Sequence, residues 1–128
     1  MQIYSVWQNA WRMDSSAHVD LSLPEDWTVT SHQMEADSHP ALTRTEILDR
    51  LQHPVGMPTI REMAAAGHEA IIVFDDLSRG TPAKVPAELA VQELLAGGLK
   101  KENIRFLCAL GNHGALTRAD FVCKLGEE

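Results

Sequence analysis

Two short stretches of this 128-residue chain hold the side chains with chemistry to offer. Asp75, Asp76, Ser78, Arg79 and Thr81 close the run E-A-I-I-V-F-D-D-L-S-R-G-T-P over residues 69–82. Asn112 and His113, framed by Gly111 and Gly114, close the run I-R-F-L-C-A-L-G-N-H-G over residues 104–114. Histidine is the residue type suited to acid/base work near neutral pH, and flanking glycines leave room for a substrate to approach it. Arg79 could receive a carboxylate or phosphate through two parallel N–H donors, with Asp76 orienting Arg79, the ligand or His113. A plainer reading stands beside this one. His113 would then be a solvated loop residue, and Asp75, Asp76 and Arg79 a surface ion-pair cluster of little energetic weight. Ser78 and Thr81 read as turn and cap hydroxyls, since no GxSxG hydrolase spacing surrounds either.

These residues need elements that bring them to one place. Two apolar runs, each ending in polar residues and separated by a helix-length segment, predict a βαβ unit with a site at its rim. Four consecutive apolar residues, Ala70 to Val73, followed by Phe74, predict a central parallel strand covered on both faces. Between the runs, Pro86 suits the first turn of a helix reaching Ala96, with Leu89, Ala90, Leu94 and Leu95 at helical spacing. Gly97-Gly98 ends it, and Thr117 with Asp120 three residues on opens a last helix. Upstream, Thr43 or Thr45 caps a helix to about Gln52. Thr59 with Glu62 opens another, which Gly67 closes.

Strand-like runs at residues 2–7, 10–13, 18–23 and 27–32, with a turn at 24–26, predict a small antiparallel layer at the N-terminus. Residues 35–42 lack a period and read as a connection. The expected fold class is therefore α/β, a partly parallel, Rossmann-like sheet with a βαβ crossover plus an N-terminal antiparallel β layer, in one domain spanning residues 1–128.

Composition narrows the function classes. A chain of this length can bury roughly two-thirds of its unfolded surface, enough for one modest core. A net charge of −7 with 11 scattered Lys and Arg disfavours a nucleic-acid binder. The longest apolar runs are far short of a spanning helix, and Met1-Gln2-Ile3-Tyr4 leads into mixed polar sequence rather than an apolar leader, so a cytoplasmic protein without membrane association is expected. Cys108 and Cys123 form neither a CxxC pair nor a metal quartet and read as small hydrophobes. The histidines at 18, 32, 39, 53 and 68 are scattered without HxxxH or HxH spacing, and no metal site is expected from this chain.

Three motifs, P-V-G-M-P-T-I-R-E-M-A from Pro54, I-I-V-F-D-D-L-S-R-G-T-P from Ile71 and A-L-G-N-H from Ala109, resemble in order and spacing the N-terminal domain of the lactate racemase family, the nickel-pincer-nucleotide enzymes. The family pattern looks like D-x-T/S-R-P-x-P followed further on by G-T-H-R. The resemblance implies an isomerase, a racemase or epimerase of 2-hydroxy acids that works by transient hydride capture on the nickel cofactor, with histidines moving the hydroxyl proton. Carried over by position, His113 matches a catalytic acid/base histidine. Asp76 and Arg79, with Ser78 and Asn112 beside them, match residues that hold substrate or cofactor. Gly80 stands where the family usually has Pro, and Gly114 where it usually has Arg.

Family members are several times longer, and their cofactor-tethering lysine, second proton-transfer histidine and nickel-binding histidine lie in the part beyond Glu128. The chain is thus expected to be the N-terminal domain or a fragment of such an enzyme, inactive alone and retaining no cofactor by itself. Its expected partners are a small-molecule 2-hydroxy acid and the missing C-terminal domain, with a homodimer left open. Two other functions remain in view from the residues: a stand-alone, non-catalytic anion-binding or interaction module, and a small hydrolase using Asp76 and His113.

Overall fold

The computed structural model describes residues 1–7 and 18–127. It divides into two compact units, Met1–Ala41 and Leu42–Glu128. The first is built on an antiparallel pair, β1 (Gln2–Trp7) and β2 (His18–Leu23), in register from Gln2 opposite Leu23 to Trp7 opposite His18. The expected strand at residues 10–13 lies outside the described residues. Gln2 ties the turn after β2, its Nε2 donating to the carbonyls of Pro24 and Trp27 at 2.8 Å each. Residues 27–32 were expected as a further strand and do not form one. Their alternation has no partner edge among the described residues, and Trp27 offers its carbonyl to the Gln2 side chain instead of to a ladder. The connection that follows contains a single 3-10 turn, Glu35–Ser38.

The second unit carries the predicted βαβ arrangement. Helix α1 (Arg44–Gln52) and helix α2 (Ile60–Ala66) begin at complete capping boxes, Thr43 with Glu46 and Thr59 with Glu62. In each, the threonine hydroxyl accepts the third N–H of the helix while the glutamate accepts the threonine's own N–H, satisfying two donors that would otherwise go unpaired. Strand β3 (Ala70–Asp75) follows, then helix α3 (Lys84–Ala96), then strand β4 (Ile104–Ala109) parallel to β3, then helix α4 (Arg118–Leu125). Pro86 sits in the first turn of α3, where the N–H it lacks has no helical partner to lose.

The core lies where α2 and α3 meet one face of the β3–β4 pair. Ala64, Leu94 and Leu99 are buried there, with Ile60, Ala70, Ile72 and Ile104 packed against them. A Cβ built on Gly97 would fall 2.5 Å from both the Ala64 Cβ and the Arg61 carbonyl oxygen, so the close approach of α2 to the end of α3 requires glycine. Buried Glu93 draws three helices together. Its Oε1 accepts from Arg61 Nη2 at 2.9 Å and from Gln52 Nε2 at 3.1 Å.

Cover on both faces of β3 was expected, and the structure shows cover on one. Phe74 is buried on the helix side, whereas Ile71, Val73 and the β4 residue Leu107 are 55%, 61% and 55% exposed on the other. An apolar run marks a strand as suited to burial on both faces, but it cannot supply the second layer that would bury it.

Candidate functional site

The parallel register sets Asp75 of β3 opposite Ala109 of β4, so both strands end at the same level. Their outgoing loops therefore start side by side from one rim, the place where open α/β sheets bind ligands. Phe74 anchors the rim from below. Its ring meets Phe121 of α4 edge-on at 5.3 Å between centroids and Phe106 of β4 at 6.3 Å.

Asp76, the first residue past β3, is 5% exposed and has its carboxylate fully engaged. Oδ1 accepts the Ser78 backbone N–H at 2.9 Å and the Ser78 hydroxyl, while Oδ2 pairs with His113 Nδ1 from the other loop. The Ser78 hydroxyl foremost, then the His113 ring, hold the Asp76 carboxyl at about 2, below its ordinary 3.8. An ionised carboxylate can only accept, so the shared proton sits on Nδ1, and the neutral form of the ring has its lone pair on Nε2. Nε2 has no partner among the described residues, and the His113 side chain is 50% exposed. An imidazole held in this tautomer by a carboxylate is prepared to take a proton at Nε2.

Asp75 faces a different set of groups. Burial pushes its carboxyl up, but the Thr81 hydroxyl at 2.5 Å and Lys124 Nζ at 2.9 Å outweigh that and hold it below the usual range. Lys124 comes from α4 and is buried; Nζ also donates to the carbonyls of Asp76 at 3.2 Å and Arg79 at 2.9 Å. Burial, and then the charges of Asp76 and Asp75, push the Cys108 thiol up, which keeps it protonated and poorly nucleophilic.

Of the residues singled out in the sequence, Asp76, Ser78 and His113 are brought into one hydrogen-bonded group. Arg79 is exposed, and its guanidinium makes no hydrogen bond or ion pair among the described residues, so the surface ion pair with Asp75 and Asp76 does not form. Its side chain is left available to an anion. Asn112 is exposed in the second loop with no side-chain hydrogen bond among the described residues. Sequence reasoning missed Lys124. The available signal was its spacing: Lys124 lies three residues after Phe121, on the stripe of α4 that faces Phe74.

Among the described residues no group of three or more His, Cys, Asp or Glu could hold a metal ion. No described helix is long and apolar enough to cross a membrane.

Comparison with known proteins bears on the family and the fold. The family model for the lactate racemase N-terminal domain matches residues 15–128. The lactate racemase of Lactiplantibacillus plantarum is 28% identical over 94 residues, covering 73% of this chain and 22% of that protein. The structure of the lactate racemase apoprotein from Thermoanaerobacterium thermosaccharolyticum superposes with a TM-score of 0.63 at 18% identity, covering 98% of this chain and 27% of the other. At that identity the likeness speaks for the fold alone. The chain spans about a quarter of the length of these relatives.

Proposed function

The chain belongs to the lactate racemase N-terminal domain family, and from that membership we propose that it supplies one wall of the cleft in which a lactate-racemase-like isomerase binds a 2-hydroxy acid. The observation that carries the proposal is the Asp76–His113 pair standing at the same rim as an uncommitted Arg79. In this reading the guanidinium of Arg79 receives the substrate carboxylate bidentately. His113 Nε2 takes and returns the proton of the 2-hydroxyl group, and Asp76 stabilises the imidazolium while that proton is held. Ser78 keeps the Asp76 carboxylate aimed at the ring, and Asn112 lies beside His113 as a further polar contact.

The described residues offer no cluster of side chains that could hold a free nickel ion. In this reading the nickel-pincer nucleotide implied by the family is bound by the whole enzyme and is not retained by this chain alone. What this chain contributes is binding of the acid and movement of its hydroxyl proton, and it is inactive by itself. The second reading, an anion-binding module without chemistry, draws on the same Arg79 and on Gly114, which leaves the second loop without a cation of its own.

Titrating the isotopically labelled chain with lactate, and separately with phosphate, tests both readings. The proposal expects lactate to bind in the millimolar range, with amide shifts confined to the loops around Asp76, Arg79 and His113, and to be lost in Arg79→Gln. Phosphate binding without lactate binding would favour the module. Shifts elsewhere in the chain would overturn the site.

A further inference from the structure

We infer that Lys124 is the positioning residue of this rim, the group that sets how Asp76 and Arg79 are presented to a bound acid. This rests on the proposed anion site and adds to it a residue on α4 that faces the inside of the loop. An ammonium group has three donors, and here all three are used. One goes to Asp75 Oδ1 at 2.9 Å, one to the Asp76 carbonyl at 3.2 Å and one to the Arg79 carbonyl at 2.9 Å. The two carbonyls bracket the working part of the loop. With both drawn onto one buried nitrogen, Asp76 and Arg79 keep a fixed separation, which is also spanned by the Arg79 N–H bond to the Asp76 carbonyl at 3.2 Å.

Burial of a charge is costly unless it is paired and hydrogen-bonded. Lys124 is 7% exposed and meets that condition only with the loop in its present course. Opening the loop would strand the ammonium, and removing the ammonium would leave two carbonyls and the Asp75 carboxylate short of a donor. The tripod geometry also suits lysine more than arginine, whose planar fork spreads its donors in one plane.

The test compares wild type, Lys124→Met, Lys124→Arg and Thr117→Ala, which weakens the N-cap of the same helix through a side chain bonded to Asp120 and to neither Asp76 nor His113. Long-range nitrogen NMR reads the His113 tautomer, and titration reads lactate affinity. The expected result is a folded Lys124→Met chain with mixed His113 tautomers and lactate binding weakened at least tenfold, partial recovery in Lys124→Arg, and wild-type values for both in Thr117→Ala. Retention of the tautomer and of lactate affinity in Lys124→Met would overturn the inference, as would equal losses in Thr117→Ala.

Should Lys124→Met fail to fold, the wild-type chain still decides. The inference expects a slowly exchanging Lys124 ammonium signal that shifts when lactate binds, and a rapidly exchanging signal contradicts it. If wild type binds no lactate, the proposed function fails, while the tautomer in Lys124→Met still judges the positioning role.

Discussion

The two loops that leave the rim are built in opposite ways. The loop after β3 is tied through both its carboxylates and two of its carbonyls, with Asp76 on Ser78 and His113, Asp75 on Thr81 and Lys124, and two carbonyls on the same lysine. The loop after β4 has the Asp76–His113 pair, a backbone bond from the His113 N–H to the Leu110 carbonyl at 3.0 Å, and two exposed glycines with open space around them. The difference teaches a division of labour. One loop has its carboxylates and two carbonyls held by named donors, and the other leaves open space beside the imidazole it carries, as the proposed site requires.

A core lesion should erase this contrast altogether. Leu89 is 1% exposed within α3, and Leu89→Ala should cost about 2–5 kcal/mol. Chemical denaturation followed through probes on each loop should show them unfolding together and at lower denaturant. A change confined to the open loop should act more gently. Gly111 has φ +59, so Gly111→Ala should cost about 1–2 kcal/mol from backbone strain alone, read as a lower denaturation midpoint with the β3 loop undisturbed.

Acid should work on the tied loop. Asp76 has a lower pKa folded than unfolded, so its ionisation adds stability above about pH 4, which is lost as pH falls through about 2. Asp75 and the capping carboxylates of Glu46, Glu62 and Asp120 are lowered too, so the informative quantity is the difference from Asp76→Asn. Stability measured from pH 4 down to pH 2 should fall less steeply in that variant than in wild type. The smallest effect on stability belongs to Gly114→Arg. Its Cβ meets nothing within 4 Å, so the change should stay within about 0.5 kcal/mol while tightening phosphate and lactate binding.

Much of the contrast was legible in the sequence because it depends on local rules. The capping boxes at Thr59 and Thr117 were readable from hydroxyl-to-acid spacing, and the strand ends from apolar runs meeting polar residues, whereas at α1 the sequence left Thr43 and Thr45 open and the structure takes Thr43. The meeting of Asp76 with His113 followed from the βαβ topology, although the sequence left open whether the carboxylate would choose Arg79 or the histidine. Lys124 was harder to read, since two of its three partners are backbone carbonyls, which carry no letter in a sequence, and the third, Asp75, lies far from it along the chain. The open face at Ile71 and Val73 was misread for a related reason: a strand's composition records the burial it is suited to, and the covering layer lies elsewhere. The run at residues 27–32 alternates like a strand but has no neighbour to pair with among the described residues.

The account turns on the Asp76–His113 pair, and the tautomer of His113 tests it most directly. Long-range nitrogen NMR of the wild-type chain above the range where the imidazole is protonated should show the hydrogen on Nδ1 and a lone pair on Nε2, with that preference lost in Asp76→Asn. A wild-type ring carrying its hydrogen on Nε2, unchanged by Asp76→Asn, would contradict it.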